Sequence, residues 1–317
     1  MTELIKIHQP GTPATAEALP PLSVIVEHFL FTQDVRPQSR DLYRRTLKQF
    51  FVWVDSSGHD LGSLNRTHLL TYKQYLLDRG LSPLTVGSYI TVLRLFYKFT
   101  SIEGIYKNIA EGIKPPTMSQ SHRRGVLSDE EVKLLLGQLS KQGKRDRALG
   151  VVLSNTGMRT IEVSRLLIQD LVMRNGRYIL LIHGKGRNTK DRKLTINQST
   201  YTTIKEYLAT RPGALPGEPM FISESNNSKG KPLSTRMISG IIKEALRACA
   251  IDDSTLTAHS LRHTFATKLR KSGVDIYRVS KALGHASIKT TEIYTKMINE
   301  ELELDNPVTD VLEGIYN

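Results

Sequence analysis

Between Thr257 and Thr295 the chain carries His259, Arg262, His285 and Tyr294, a set that can bind a phosphate, manage a proton and supply a phenolic nucleophile. That combination points to phosphoryl transfer. A tyrosine hydroxyl has an ordinary pKa of about 10, so nucleophilic use needs a base or strong local positive charge. A phosphodiester under attack gathers negative charge on its non-bridging oxygens, and two arginines offer fixed bidentate donors to them. Arg159 is the candidate second arginine, and Glu162, three residues on, can hold its guanidinium. The departing sugar oxygen needs a proton, which a lysine can deliver if a crowded cationic site lowers its pKa. Lys185, between Gly184 and Gly186 at a turn, is that lysine. The Gly-Lys-Gly run lacks the full spacing of a phosphate-binding P-loop. His259 and His263 are four apart, as in a zinc-protease helix, but position 260 is Ser where such a helix needs its Glu. The chemistry therefore needs no metal and no cofactor.

The elements that must position these groups follow from periodicity and caps. Leu127-Ser128-Asp129-Glu130-Glu131 opens a helix with a capping box. Arg145 to Thr156 reads as a helix stopped by Gly157, and Met158 to Leu166 carries the Arg159 and Glu162 pair. The period then becomes strand-like: Asn175-Gly176 is a hairpin turn, Arg177 to Ile182 a buried strand, and Arg192 to Ile196 its returning partner. Ser199 to Arg211 and Ser234 to Cys249 are helices. His259 to Lys271 presents Leu261, Phe265 and Leu269 at helical spacing, and Ile276 to Leu283 ends at Gly284, so the turn aims His285.

The N-terminal part is helical throughout. Leu22 to Phe31, Ser39 to Val54, Thr67 to Arg79 and Leu84 to Thr100 are the predicted helices, the last entered through Ser82-Pro83. Domain limits follow: a flexible leader over 1–20, a helical domain over 21–105, a linker over 106–125 marked by Pro115-Pro116 and Gly125, a second domain over 126–299, and a tail over 300–317. The expected fold class is mainly α with a small β-sheet.

The net charge of +13 calls for a polyanionic partner. Residues 1–20 carry a net −1 and residues 300–317 a net −6, which leaves +20 on residues 21–299. The basic surface thus belongs to the folded body. Arg40, Arg44, Arg45, Lys48, Lys73, Arg79, Arg94 and Lys98 recur across three helices as a phosphate-facing surface, and Arg123, Arg124 and Arg236 add to it. Cys249 is the only cysteine, which excludes an internal disulfide and a cysteine-based metal cluster. No stretch reads as a secretion signal or a membrane span, so a cytoplasmic, nucleoid-associated protein is expected.

In order, Thr156-Gly-Met-Arg-Thr-Ile-Glu162, Gly184-Lys-Gly186, His259-Ser-Leu-Arg262 and Leu283-Gly-His285 with Tyr294 resemble the arginine box, hairpin lysine, His-x-x-Arg box and closing box of the tyrosine recombinases, the phage integrase family. The resemblance covers about residues 21 to 299. It implies a SAM-like four-helix core-binding domain before an α+β catalytic domain. It further implies that Tyr294 attacks the scissile phosphate to leave a 3′-phosphotyrosyl link and a free 5′-hydroxyl, without ATP. Arg159 and Arg262 would bind the phosphate, Lys185 would protonate the 5′-oxygen, His259 would act as base toward Tyr294, His285 would hydrogen-bond the phosphate, and Glu162 would be the acidic support. The implied partners are double-stranded DNA recombination sites and three further copies of the chain, a tetramer on DNA from a free monomer, with accessory DNA-bending or directionality proteins. The acidic tail, with Leu302, Leu304 and Leu312, suits a contact in trans. Residues 1–20 are too short for the arm-binding domain of lambda-type integrases, which favours a compact recombinase serving a mobile element or resolving dimers. A type IB topoisomerase and a catalytically silent DNA-binding regulator are the alternatives.

Overall fold

The computed structural model describes residues 20–117, 125–183, 190, 192–251, 253 and 255–285. The chain divides into two compact units, Met1–His122 and Arg123–Asn317. Lys185, Tyr294, Arg123, Arg124, the leader and the acidic tail lie outside the described residues.

The first unit is built from α1 (Leu22–Thr32), α2 (Pro37–Ser56), α3 (Arg66–Asp78) and α4 (Pro83–Ile102). Local chemistry sets its helix starts. The Asn65 side chain accepts from the backbone of Thr67 and His68 to cap α3, and the Ser82 hydroxyl accepts from Thr85 N–H at 3.2 Å with Pro83 at the first helical position of α4. Aromatic side chains fill the centre. Phe50 meets Tyr72 and Tyr97 edge-on at 5.0 and 6.3 Å, and Phe29 meets Phe96 at 5.5 Å. Ala110 and Ile113 are buried in the same core, although they fall in the stretch expected to be linker. Arg66 donates to the Glu111 and Gly112 carbonyls and Lys73 to that of Lys114, so α3 straps this segment down. Its lack of sustained periodicity reflects turns held by side chains, not a free linker.

The second unit begins with the expected capping box: the Ser128 hydroxyl accepts from Glu131 N–H, and the Glu131 carboxylate accepts from Ser128 N–H at 2.8 Å. It contains α5 (Asp129–Gln142), α6 (Lys144–Thr156), α7 (Thr160–Ser164), a sheet, α8 (Gln198–Leu208), α9 (Thr235–Ala248), α10 (Ala258–Lys271) and α11 (Ile276–Leu283). The sheet is antiparallel in the order β1 (Leu171–Arg174), β2 (Arg177–Ile182), β3 (Arg192–Ile196). Asn175 and Gly176 take φ of 49° and 69°, as the two-residue turn between β1 and β2 demands. Tyr178 pairs with Ile196 and Ile182 with Arg192, so β3 pairs back on β2 as expected. Helix α10 packs against α6, α9 and α11, which makes it the element through which the candidate site residues meet. Mainly helical with one small sheet, the fold is of the expected class.

Candidate active site

Arg159 caps α7, and the Glu162 carboxylate one turn later answers it twice. One oxygen accepts from the Arg159 backbone N–H at 2.8 Å, the other from Nη1 at 2.9 Å. Glu162 is 1% exposed, so the carboxylate is withdrawn from water and depends on these donors. Its oxygen Oε1 also accepts from Arg192 Nη1 at 3.1 Å, so one carboxylate is shared by two guanidinium groups.

Arg262 lies at the other side of the site and is 1% exposed. Nη1 donates to the Gly157 carbonyl at 2.7 Å and Nη2 to the Leu283 carbonyl at 2.8 Å. These bonds join the end of α6 to the end of α11 through a residue of α10. Gly157 is required here. Its φ is 59°, and a Cβ on it would stand 2.5 Å from a Phe265 ring carbon and 2.9 Å from Leu283 Cδ2.

The last carbonyls of α11 are capped by arginines. Ala282 O accepts from Arg192 Nη2 and Leu283 O from Arg262 Nη2. Both cations sit at the negative end of the helix dipole. Gly284 then turns the chain at φ 63° and presents His285. Burial pushes the His285 pKa down to about 4, with the positive charges of Arg262, Arg159 and Arg192 and the neighbouring His259 also opposing its protonation. His285 is therefore a neutral imidazole at pH 7. His259 lies half-buried on the first turn of α10, and its ring meets His263 edge-on at 5.0 Å.

The structure thus brings Arg159, Glu162, Arg262, His259 and His285 to one place, from segments up to about 130 residues apart. Lys185 and Tyr294 lie outside the described residues. His183, the last described residue before the Gly-Lys-Gly turn, lines a groove with Ile161, Ser164 and Arg165 of the Arg159 segment. Beyond the turn, Lys190 pairs with Asp170, which is 1% exposed and also accepts from Leu167 N–H at 2.8 Å.

The basic residues of the first unit line more than one groove. Arg44 donates to both oxygens of Glu27 and lies 3.5 Å from Asp41, so its charge is already paired. Arg44 and Lys48 line a groove beside α1, whereas Arg94 and Lys98 line another formed by α4 and residues 108–112. Arg40 is half-buried and donates to the Gln33 carbonyl, Arg45 to that of Asp41, and Arg236 is exposed on α9 of the second unit.

Arg192 is the candidate that residue type and motif spacing do not single out. A signal was nonetheless present: alternation on β3 puts Arg192 on the same face as Leu194 and Ile196, facing inward, where an arginine needs a reason.

Arginines and a neutral imidazole gathered at one place fit a phosphoryl-transfer class of protein. The phage integrase family model matches residues 125–301. The chain is 29% identical over 289 residues to tyrosine recombinase XerA of Thermococcus kodakarensis, covering 91% of this chain and 95% of that protein. It is 30% identical over 276 residues to tyrosine recombinase XerD of Corynebacterium glutamicum, covering 82% and 88%. Its fold matches the XerH site-specific recombinase bound to the palindromic difH substrate, with a TM-score of 0.71 at 24% identity over 91% of this chain and 84% of that one. The chain belongs to the phage integrase family and is a tyrosine-type site-specific recombinase.

Proposed function

We propose that the chain cuts and rejoins double-stranded DNA at a specific site through a 3′-phosphotyrosyl intermediate. Tyr294 Oη attacks the scissile phosphorus and the bond to the 5′-oxygen breaks. The tyrosine proton passes to His259, and Lys185 donates a proton to the leaving 5′-oxygen. Arg159 and Arg262 hold the non-bridging oxygens, and His285 donates an N–H to one of them. The new ester replaces the old one, so a 5′-hydroxyl from a partner duplex can reverse the step without ATP or metal. Two rounds through a four-way junction, within a tetramer of this chain, exchange the strands. Integration or excision of a mobile element and resolution of dimers are the uses that fit such a reaction, in the cytoplasm and with accessory proteins setting direction.

The observation that carries this reading is the gathering of Arg159, Arg262 and a neutral His285 around one point. A neutral imidazole can donate to a phosphate oxygen without offering the acidic proton of an imidazolium, which would quench a phenolate nearby. The test uses the full chain and a nicked duplex carrying a site selected from a random-sequence pool by binding. A covalent protein–DNA adduct should form and should vanish in Tyr294→Phe while binding persists. An adduct formed equally by the variant would remove Tyr294 from its role. Relaxation of one duplex without exchange between two would instead assign a topoisomerase.

A further inference from the structure

We propose that Arg192 is a positioning residue for strand exchange: its guanidinium ties the Glu162 carboxylate to the end of α11 and so sets Arg159 and His285 in one frame. This rests on the reading of Arg159 and His285 as phosphate-binding groups.

Three features of the geometry carry it. Arg192 reaches in two directions, from Nη1 to Glu162 at 3.1 Å and from Nη2 to the Ala282 carbonyl. The first contact touches the same oxygen that holds Arg159 Nη1, and the second lies three residues before His285. Arg192 is thus one side chain away from both groups while standing 33 residues from one and 93 from the other along the chain.

The second feature is Gly284. A Cβ there would lie 2.8 Å from Arg192 Cδ and 2.9 Å from its Nε and Nη1. The glycine of the Leu-Gly-His run therefore does two things at once. It permits φ 63° and leaves the space that the Arg192 side chain occupies. Arg192 Nε is buried against this spot and has no partner among the described residues, so the side chain is held by its two outer nitrogens alone.

The third is where Arg192 starts. It is the first residue of β3, paired with Ile182 at the end of β2, and so stands where the chain returns from the segment that contains Lys185. From there its guanidinium fork, planar in geometry, fixes Glu162 and the end of α11 at once.

Electrostatics supports the same link. Among the described residues, the charged and titratable groups acting on His285 are Arg262 and His259 of α10, Arg159 before α7, and Arg192 of β3. Burial and the neighbouring Arg159 lower the Arg192 pKa from its ordinary value, and Glu162 opposes them. Removal of the Arg192 charge should let the His285 midpoint rise.

The experiment has two arms on the full chain. Imidazole nitrogen NMR, with His285 assigned through His285→Asn, follows the midpoint without DNA. Adduct formation on the nicked duplex gives the rate. Arg192→Gln should raise the His285 midpoint and slow adduct formation roughly 100-fold at unchanged duplex affinity, as a misplaced but intact site would. Arg192→Lys keeps the charge and loses the two-way fork. It should restore the low midpoint yet stay slower than the parent, and it serves in place of Arg192→Gln if that variant does not fold. A parental midpoint and parental rate in Arg192→Gln would overturn the proposal, as would a shifted midpoint with no loss of rate or full recovery of rate by lysine. A parent chain that forms no adduct would instead overturn the reading of function. The midpoint would then still show whether Arg192 acts on His285.

Discussion

Among the described residues, the first unit has no charged residue in its buried core, whereas the second buries Asp146, Glu162, Asp170 and Arg262 among its aliphatic side chains. The first core is aromatic, with Phe29, Phe50, Phe96, Tyr72 and Tyr97 in mutual ring contact, and its stability rests on area and shape. In the second, each buried charge has a named partner: Asp146 has Arg145, Asp170 has Lys190, Glu162 has two arginines, and Arg262 has two carbonyls. Buried ion pairs seldom add net stability over a well-packed apolar core. The buried charges of Glu162 and Arg262 lie at the candidate site, where geometry and charge are needed for chemistry.

The two cores should respond differently to loss of a central side chain. Phe50→Ala should cost the first unit about 3–5 kcal/mol, because a fully buried ring leaves a cavity among four aromatic neighbours. Trp53, the sole tryptophan, lies in that core, so its fluorescence during urea unfolding reports the first unit alone. A Trp53 transition left in place would show that the aromatic core is not what holds the unit. Arg262→Leu should cost the second unit about 3 kcal/mol, since the Gly157 and Leu283 carbonyls lose charge-assisted partners in a buried site. Circular dichroism should show this loss while the Trp53 transition stays put; no shift would mean that water replaces the guanidinium.

The smallest effect concerns pH. His285 titrates at about 4 when folded against an ordinary 6.5, so between these values the unfolded chain binds more protons and unfolding gains ground as pH falls. The full stability is present above 6.5 and is reduced as the pH drops through 4. His285→Gln should remove this part of the pH slope from the dichroism transition. Identical slopes in parent and variant would show that the imidazole is not held neutral by its surroundings.

Much of the architecture is legible from residues close together in the chain. The Ser128 and Glu131 box, Ser82-Pro83, the Asn175-Gly176 turn and the stop at Gly157 act over one to four residues, and each stands where pattern places it. Glu162 answering Arg159 is also local, a contact across one turn. The segment 106–113 reads as linker because its anchors are the long side chains of Arg66 and Lys73, which leave no periodic trace in the segment itself. Arg44 reads as a phosphate contact from sequence, and its exposed pairing with Glu27 on the neighbouring helix is visible only in the fold.

The sequence by itself determined the described helices, the strand pairing and the family, and it nominated the candidate catalytic residues, because caps, turns and motif spacing are carried by side chains near one another in the chain. Only the tertiary structure decided what those residues lean on. Arg262 is held by carbonyls 105 and 21 residues away, and Arg192 by a carboxylate and a carbonyl 30 and 90 residues away. Every residue has a carbonyl, so no residue type advertises which one a buried guanidinium will find. Folding makes that choice by removing water from some carbonyls and leaving an arginine as the donor within reach.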